Sequence, residues 1–115
     1  MNVVQVDELK IVVKTHSISL FSKRSEFVIT PKLIRAFEDA GKQAWKMLNY
    51  HDVTGLGNDY YEYYDKKLDN NGYLGIRSDR LVIDRPYESD DKLYQFNKAR
   101  FETFMYDLRL WEKNK

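Results

Sequence analysis

Ser89-Asp90-Asp91-Lys92-Leu93-Tyr94-Gln95-Phe96-Asn97-Lys98-Ala99-Arg100-Phe101-Glu102-Thr103-Phe104-Met105-Tyr106-Asp107-Leu108-Arg109-Leu110-Trp111 is the stretch whose reading decides the fold. Leu93, Phe96, Phe101, Phe104, Met105, Leu108 and Trp111 make a broad apolar stripe when it is wound as one helix. Ser89 then supplies the N-cap, Asp90 and Asp91 fill the first turn, and Lys113 and Lys115 close the end, matching the macrodipole at both termini. Burial of each stripe residue contributes about 1.5–3 kcal/mol before entropy is subtracted. The rest of the chain must therefore offer this helix an apolar surface.

Working back, Thr30-Pro31 opens a first long helix. Thr30 is the cap, Pro31 suits the first helical position, and Ile29 and Ile34 form a hydrophobic staple. Leu33, Phe37, Ala40, Ala44 and Leu48 recur at helical spacing, flanked by Ile34 and Trp45, and His51 is placed to end the helix. Gly41 costs about 1 kcal/mol relative to alanine inside a helix. Close approach of another element would offset it; an incidental glycine is the alternative.

Four strands are expected around these helices. Leu9, Ile11 and Val13 alternate as a half-buried strand does, and the phase shifts to Ile18 and Leu20 across Thr15-His16-Ser17, which predicts a bulge or break. Phe27, Val28 and Ile29 form a second strand, antiparallel to the first. Residues 73–77 and 81–85 form a hairpin across Ser78-Asp79-Arg80, with Pro86 beyond it. Between hairpin and first helix, Asn58 caps a short helix over the tyrosines that ends near Gly72. The predicted architecture is α+β: two antiparallel hairpins in ββ-α-α-ββ-α order, one sheet covered on one face by two long amphipathic helices. Val3, Val4 and Val6 add an edge strand whose unpaired backbone favours dimerisation. No linker or repeat divides residues 1–115, which read as a single domain.

Composition narrows the function classes. The 115 residues are 43% hydrophobic and 32% charged, as in a soluble globular chain, and contain no cysteine. That excludes disulfides, thiolate catalysis and cysteine zinc sites, and favours a cytoplasmic setting. Neither a signal peptide nor an 18-residue apolar span is expected. The net charge of +1 disfavours both a globally basic nucleic-acid binder and an acidic mimic of DNA. Acids nevertheless concentrate in residues 51–72, which hold five against two bases.

Asp59-Tyr60-Tyr61-Glu62-Tyr63-Tyr64-Asp65 lies in that acidic stretch. As a helix it would bury Tyr61, Tyr64 and Leu68 and display Tyr60 and Tyr63 beside Asp59, Glu62 and Asp65. Exposed tyrosine rimmed by carboxylates predicts a surface for a protein partner with basic groups. Core closure beneath a loop is the simpler reading for the inward tyrosines. A competing site is Arg77, Arg80 and Arg85 with Tyr73, residues able to grip phosphates and stack bases of a single strand. Asp79, Asp84 and Glu88 interleave with them, so cross-strand ion pairing explains them as well.

Catalytic patterns are weak. His16 and His51 lack metal spacing, Gly55-x-Gly57 lacks the third glycine and the lysine of phosphate loops, and no serine stands in a nucleophile elbow. Asp84, Glu88, Asp90 and Asp91 could hold a divalent cation for hydrolysis, although Asp90 and Asp91 serve a helix start equally well. The expectation is a non-enzymatic protein-binding module without cofactor or metal, of the size of inhibitors and accessory factors carried by bacteriophages and mobile elements. Single-strand nucleic-acid binding ranks second and a metal-dependent hydrolase third.

Overall fold

The structure, a computed structural model, describes residues 2–50, 59–63, 71–84 and 92–114, of which 59–63, 71–73, 84, 92 and 93 are described by backbone placement. Strands β1 (Asn2–Val6), β2 (Leu9–Lys14), β3 (Ser17–Ser22) and β4 (Glu26–Val28) precede helix α1 (Pro31–Ala44). Strands β5 (Asp59–Tyr63), β6 (Asn71–Arg77), β7 (Arg80–Asp84) and β8 (Lys92–Phe96) lead to helix α2 (Lys98–Lys113). The fold is α+β and antiparallel, as the sequence predicts, with two helices among the described residues. The expected single sheet is corrected to two sheets of four strands, ordered β1-β2-β3-β8 and β4-β7-β6-β5.

Local chemistry accounts for the helix starts. Thr30 is extended, its Oγ1 accepts the Leu33 N–H at 3.1 Å, and Pro31 follows as the first helical residue. Asn97 plays the same part for α2, its Oδ1 accepting the Arg100 N–H at 2.8 Å. The expected Ser89 cap is therefore replaced by Asn97, and residues 92–96 leave the helix for a strand. Tyr94 and Phe96 sit two apart on one strand face, while Leu93 and Phe96 sit three apart as on a helix; pairing with β3 selects the first pattern. Ser89, Asp90 and Asp91 lie outside the described residues.

The first helix ends sooner than its stripe implies. Trp45 is extended, its N–H bonds Gly41 O at 3.0 Å, and the His16 N–H takes the Ala44 carbonyl at 3.3 Å. A turn from a distant hairpin thus satisfies a helix-end acceptor. Leu48 packs on the core from beyond the helix, and His51 lies outside the described residues.

The expected bulge or break at Thr15-His16-Ser17 is a break, a two-residue turn with Lys14 paired to Ser17 and His16 at φ 66°. Pairing Val13 with Ile18 and Ile11 with Leu20 returns both apolar sets to one face, which explains the phase shift without an extra residue. Likewise β4 does not pair with β2 as expected; it pairs with β7, Phe27 opposite Leu81. The expected short helix over the tyrosines is also corrected: residues 59–63 are strand β5, paired with β6.

One hydrophobic cluster joins both sheets and both helices. The first sheet contributes Leu9, Ile11, Val13, Ile18, Leu20, Tyr94 and Phe96, and the second Phe27, Leu74, Ile76, Leu81 and Ile83. Strand β8 links the layers, pairing with β3 while packing against β5, β6 and β7. Its Phe96 ring meets Phe101 edge-on at 5.3 Å, while Phe37 meets Phe104 at 5.0 Å. Gly41 is where α1 meets α2: a Cβ there would overlap Phe101 Cε2 and lie 2.7 Å from its Cζ. Close approach is thus the reason for this glycine. Among the described residues no helix is long and apolar enough to cross a membrane.

Candidate functional site

Two backbone hydrogen bonds fix the polarity of the second sheet. Ile83 N–H donates to Ser25 O at 2.7 Å and Ile29 N–H to Asp79 O at 2.9 Å, bracketing the Phe27–Leu81 pair. Leu81 and Ile83 therefore bond toward β4, and Arg80, Val82 and Asp84 toward β6, because bonding directions alternate along an antiparallel strand. Carried through the register, Leu74 and Gly72 bond toward β5, where they meet Tyr60 and Glu62. The backbone groups of Asp59, Tyr61 and Tyr63 then point off the outer edge of the sheet.

The same register sorts residues by face. Phe27, Leu74, Ile76, Leu81 and Ile83 are buried on the inner face, and Tyr60 and Glu62 take register positions on that face. Tyr61 pairs with Tyr73, Asp59 with Gly75, Tyr73 with Asp84 and Arg77 with Arg80, all at outer-face positions together with Tyr63. Outer-face Val28 is 49% exposed, and Arg77 and Arg80 are exposed.

Two candidate sites that sequence reasoning kept apart thus lie on one face. Tyr73, Arg77 and Arg80 share it with Asp59 and Tyr63, while Tyr60 and Glu62 are separated to the other side. Asp65 and Arg85 lie outside the described residues. Position 61, which the helical reading turned inward, joins the outer face because a strand alternates every residue where a helix turns by 100°. Arg80 pairs with Asp79 at 3.7 Å, both well exposed, an arrangement of little energetic weight. Glu26, Asp59 and Asp84 occupy register positions on the same face as Arg77 and Arg80, so the face mixes acidic and basic residue types.

A cleft away from this face has no counterpart in the sequence-based expectations. A cleft of about 330 Å³ is lined by Glu38, Lys42, Trp45, Lys46, Leu48, Tyr50 and Arg109. Arg109 reaches across from α2 to Glu38, Nη2 to Oε2 at 2.8 Å, and its guanidinium lies 5.4 Å from the Tyr50 ring centre. Burial, reinforced by the Glu38 and Glu102 carboxylates against the opposing Arg109, pushes the Tyr50 phenol up from its ordinary value. Below that, Glu102 accepts the Asn49 N–H at 2.6 Å. Arg109 and Glu38 meet across 71 positions of chain, and no local spacing announces them. Among the described residues, the cleft aligns no nucleophile with a base.

Among the described residues no group of three histidines, cysteines or acids could hold a metal ion. His51, Asp52, Gly55, Gly57, Glu88, Asp90 and Asp91 lie outside them, and Asp84 is fixed only as the β7 residue opposite Tyr73. Comparison with known protein families, curated proteins and solved structures finds no match for this chain.

Proposed function

We propose that this chain is a non-enzymatic binding module that takes a protein partner on the outer face and free edge of its second sheet, acting as an accessory or inhibitory factor. The observation that carries the reading is the cross-strand pairing of Tyr61 with Tyr73, which sets Asp59, Tyr61 and Tyr63 at register positions on the same sheet face as Tyr73, Arg77 and Arg80. Tyrosine and arginine supply much of the energy of protein interfaces, and the acids around them suit a partner with lysines or arginines.

The test is affinity capture from cells of the native source, with mass spectrometry and nucleic-acid staining of the eluate. Tyr61→Ala and Tyr63→Ala should each release a captured protein and keep the thermal transition of the parent. Tyr60→Ala, at an inner-face position, should instead lower the transition. Loss of folding in both outer-face variants, or retention of the partner by both, would sink the reading.

A second reading has one specific support: exposed arginines beside tyrosines on an open antiparallel sheet suit stacking of single-stranded bases. The matching acids weigh against it. Titration of a labelled single-stranded oligonucleotide should show binding that weakens steeply with salt if phosphates are gripped. A flat response at low salt excludes this alternative.

A further inference from the structure

Two turns assign the outward backbone groups of the first sheet. Val6 pairs with Leu9 across Asp7-Glu8, and Lys14 with Ser17 across Thr15-His16. A two-residue connection closes on a hydrogen-bonded pair, and such pairs alternate with non-bonded ones. From the first turn, Asn2, Val4 and Val6 bond into β2; from the second, Lys10, Val12 and Lys14 bond into β3. The two assignments agree. They leave the N–H and C=O groups of Val3 and Gln5 pointing off the β1 edge.

The outermost described strands differ in how that edge is guarded. Strand β4 is three residues long and carries Glu26, β5 carries Asp59 and Glu62, and β8 begins with Lys92 and packs against the second sheet. Strand β1, Asn2-Val3-Val4-Gln5-Val6, has neither charge nor proline, the devices that ordinarily stop edges from pairing. Val3 is 52% exposed.

We propose that β1 is a self-pairing edge through which two copies of this chain join their first sheets into one antiparallel sheet of eight strands. A two-fold axis through Val4 sets Val3 opposite Gln5 of the second copy, and Gln5 opposite Val3. Each is a hydrogen-bonded pair, so all four outward groups of each β1 find partners. Val4, which packs partly buried on the core, meets its own copy and continues the apolar inner face across the axis. The edge has no charge to select an acidic or basic partner, whereas β5, with Asp59 and Glu62, would bring two net-acidic strands together if it paired with itself.

The helices permit this contact. The two-fold is perpendicular to the sheet, so both α1 helices lie on the same side. Helix α1 runs over β1, β2 and β3, centred on β2. With strands about 4.8 Å apart, the two axes stand roughly 14 Å from each other, clear of the 8–10 Å at which helices pack.

Sedimentation of the full chain from about 10 μM to 1 mM tests the proposal, because a contact smaller than about 1,200 Å² gives a weak dimer in that range. The sedimentation coefficient should rise with concentration toward that of a dimer. Val3→Pro and Gln5→Pro each delete an outward N–H and no β1–β2 bond; each should stay monomeric throughout with its thermal midpoint within a few degrees of the parent. Tyr61→Ala lies on the other sheet and should dimerise as the parent does. A parent that is monomeric at 1 mM, or dimers that persist in both proline variants, overturns the proposal. So does loss of folding in both proline variants, since those N–H groups would then point inward.

Discussion

At Gly41 a methyl group would run into the Phe101 ring and lie 3.1 Å from Leu48 Cδ1. Helix propensity favours alanine there by about 1 kcal/mol, but overpacking a filled core costs about 1–3 kcal/mol. The Phe101 ring has little room to retreat, being held between Trp45 at 5.3 Å and Phe96. Gly41→Ala is therefore expected to lower stability by about 1 kcal/mol or more, read from the denaturant midpoint; a gain would show that the ring yields freely. Tyr50 makes a pH prediction. Its raised phenol pKa means that the unfolded chain ionises first as pH climbs past about 10, so the unfolded state loses protons while the folded state keeps them, and stability falls until the folded pKa is passed. Between pH 9 and 11 the parent should lose more stability than Tyr50→Phe, which has no proton to lose at that position. Equal losses in denaturant melts at the two pH values would count against the assignment.

At the scale of elements, each helix hangs on one side-chain cap that can be removed singly. Thr30→Ala and Asn97→Ala should each cost about 1 kcal/mol, and Asn97→Ala also tests where α2 begins. Had the helix started at Ser89, position 97 would lie in its interior and alanine would stabilise it. A rise in thermal midpoint for Asn97→Ala would restore the single long helix. Helix α2 is tied down at its far end as well, where Trp111 Nε1 donates to Ser78 O at 2.5 Å. Ser78 is the first residue of the β6–β7 turn, at φ 54°, so this bond joins the helix to the hairpin of the second sheet. Trp111→Phe removes the donor and keeps most of the ring, with an expected loss of about 0.5–1.5 kcal/mol.

Over the whole molecule, one continuous core couples two sheets that share no strand. Strand β8 of the first sheet packs against β5, β6 and β7, so the second sheet loses part of its apolar cover if the first leaves. Unfolding should be a single transition, with tryptophan fluorescence from Trp45 and Trp111 coinciding with far-ultraviolet dichroism. A dichroic step that precedes the fluorescence change would show the second sheet melting by itself.

The sequence by itself determined the class and its local signals. Thr30-Pro31 and the stripe from Leu33 to Ala44 specify α1, the stripe from Phe101 to Leu108 specifies the body of α2, and the alternations in β2, β3, β6 and β7 specify strands. All of these act through neighbours three or four residues apart on a helix, or two apart on a strand. Tertiary structure decided whether residues 59–63 and 92–96 are helix or strand, and which strand joins which sheet. Five-residue segments with apolar or aromatic residues at both two- and three-residue spacing satisfy either periodicity, and strand preferences span only about 1 kcal/mol. Their backbone hydrogen bonds go to β6 and β3, partners that exist only once the core has brought distant parts of the chain together. For that reason the common face of Tyr61, Tyr73, Arg77 and Arg80 appears only in the folded sheet, as does the contact of Arg109 with Glu38.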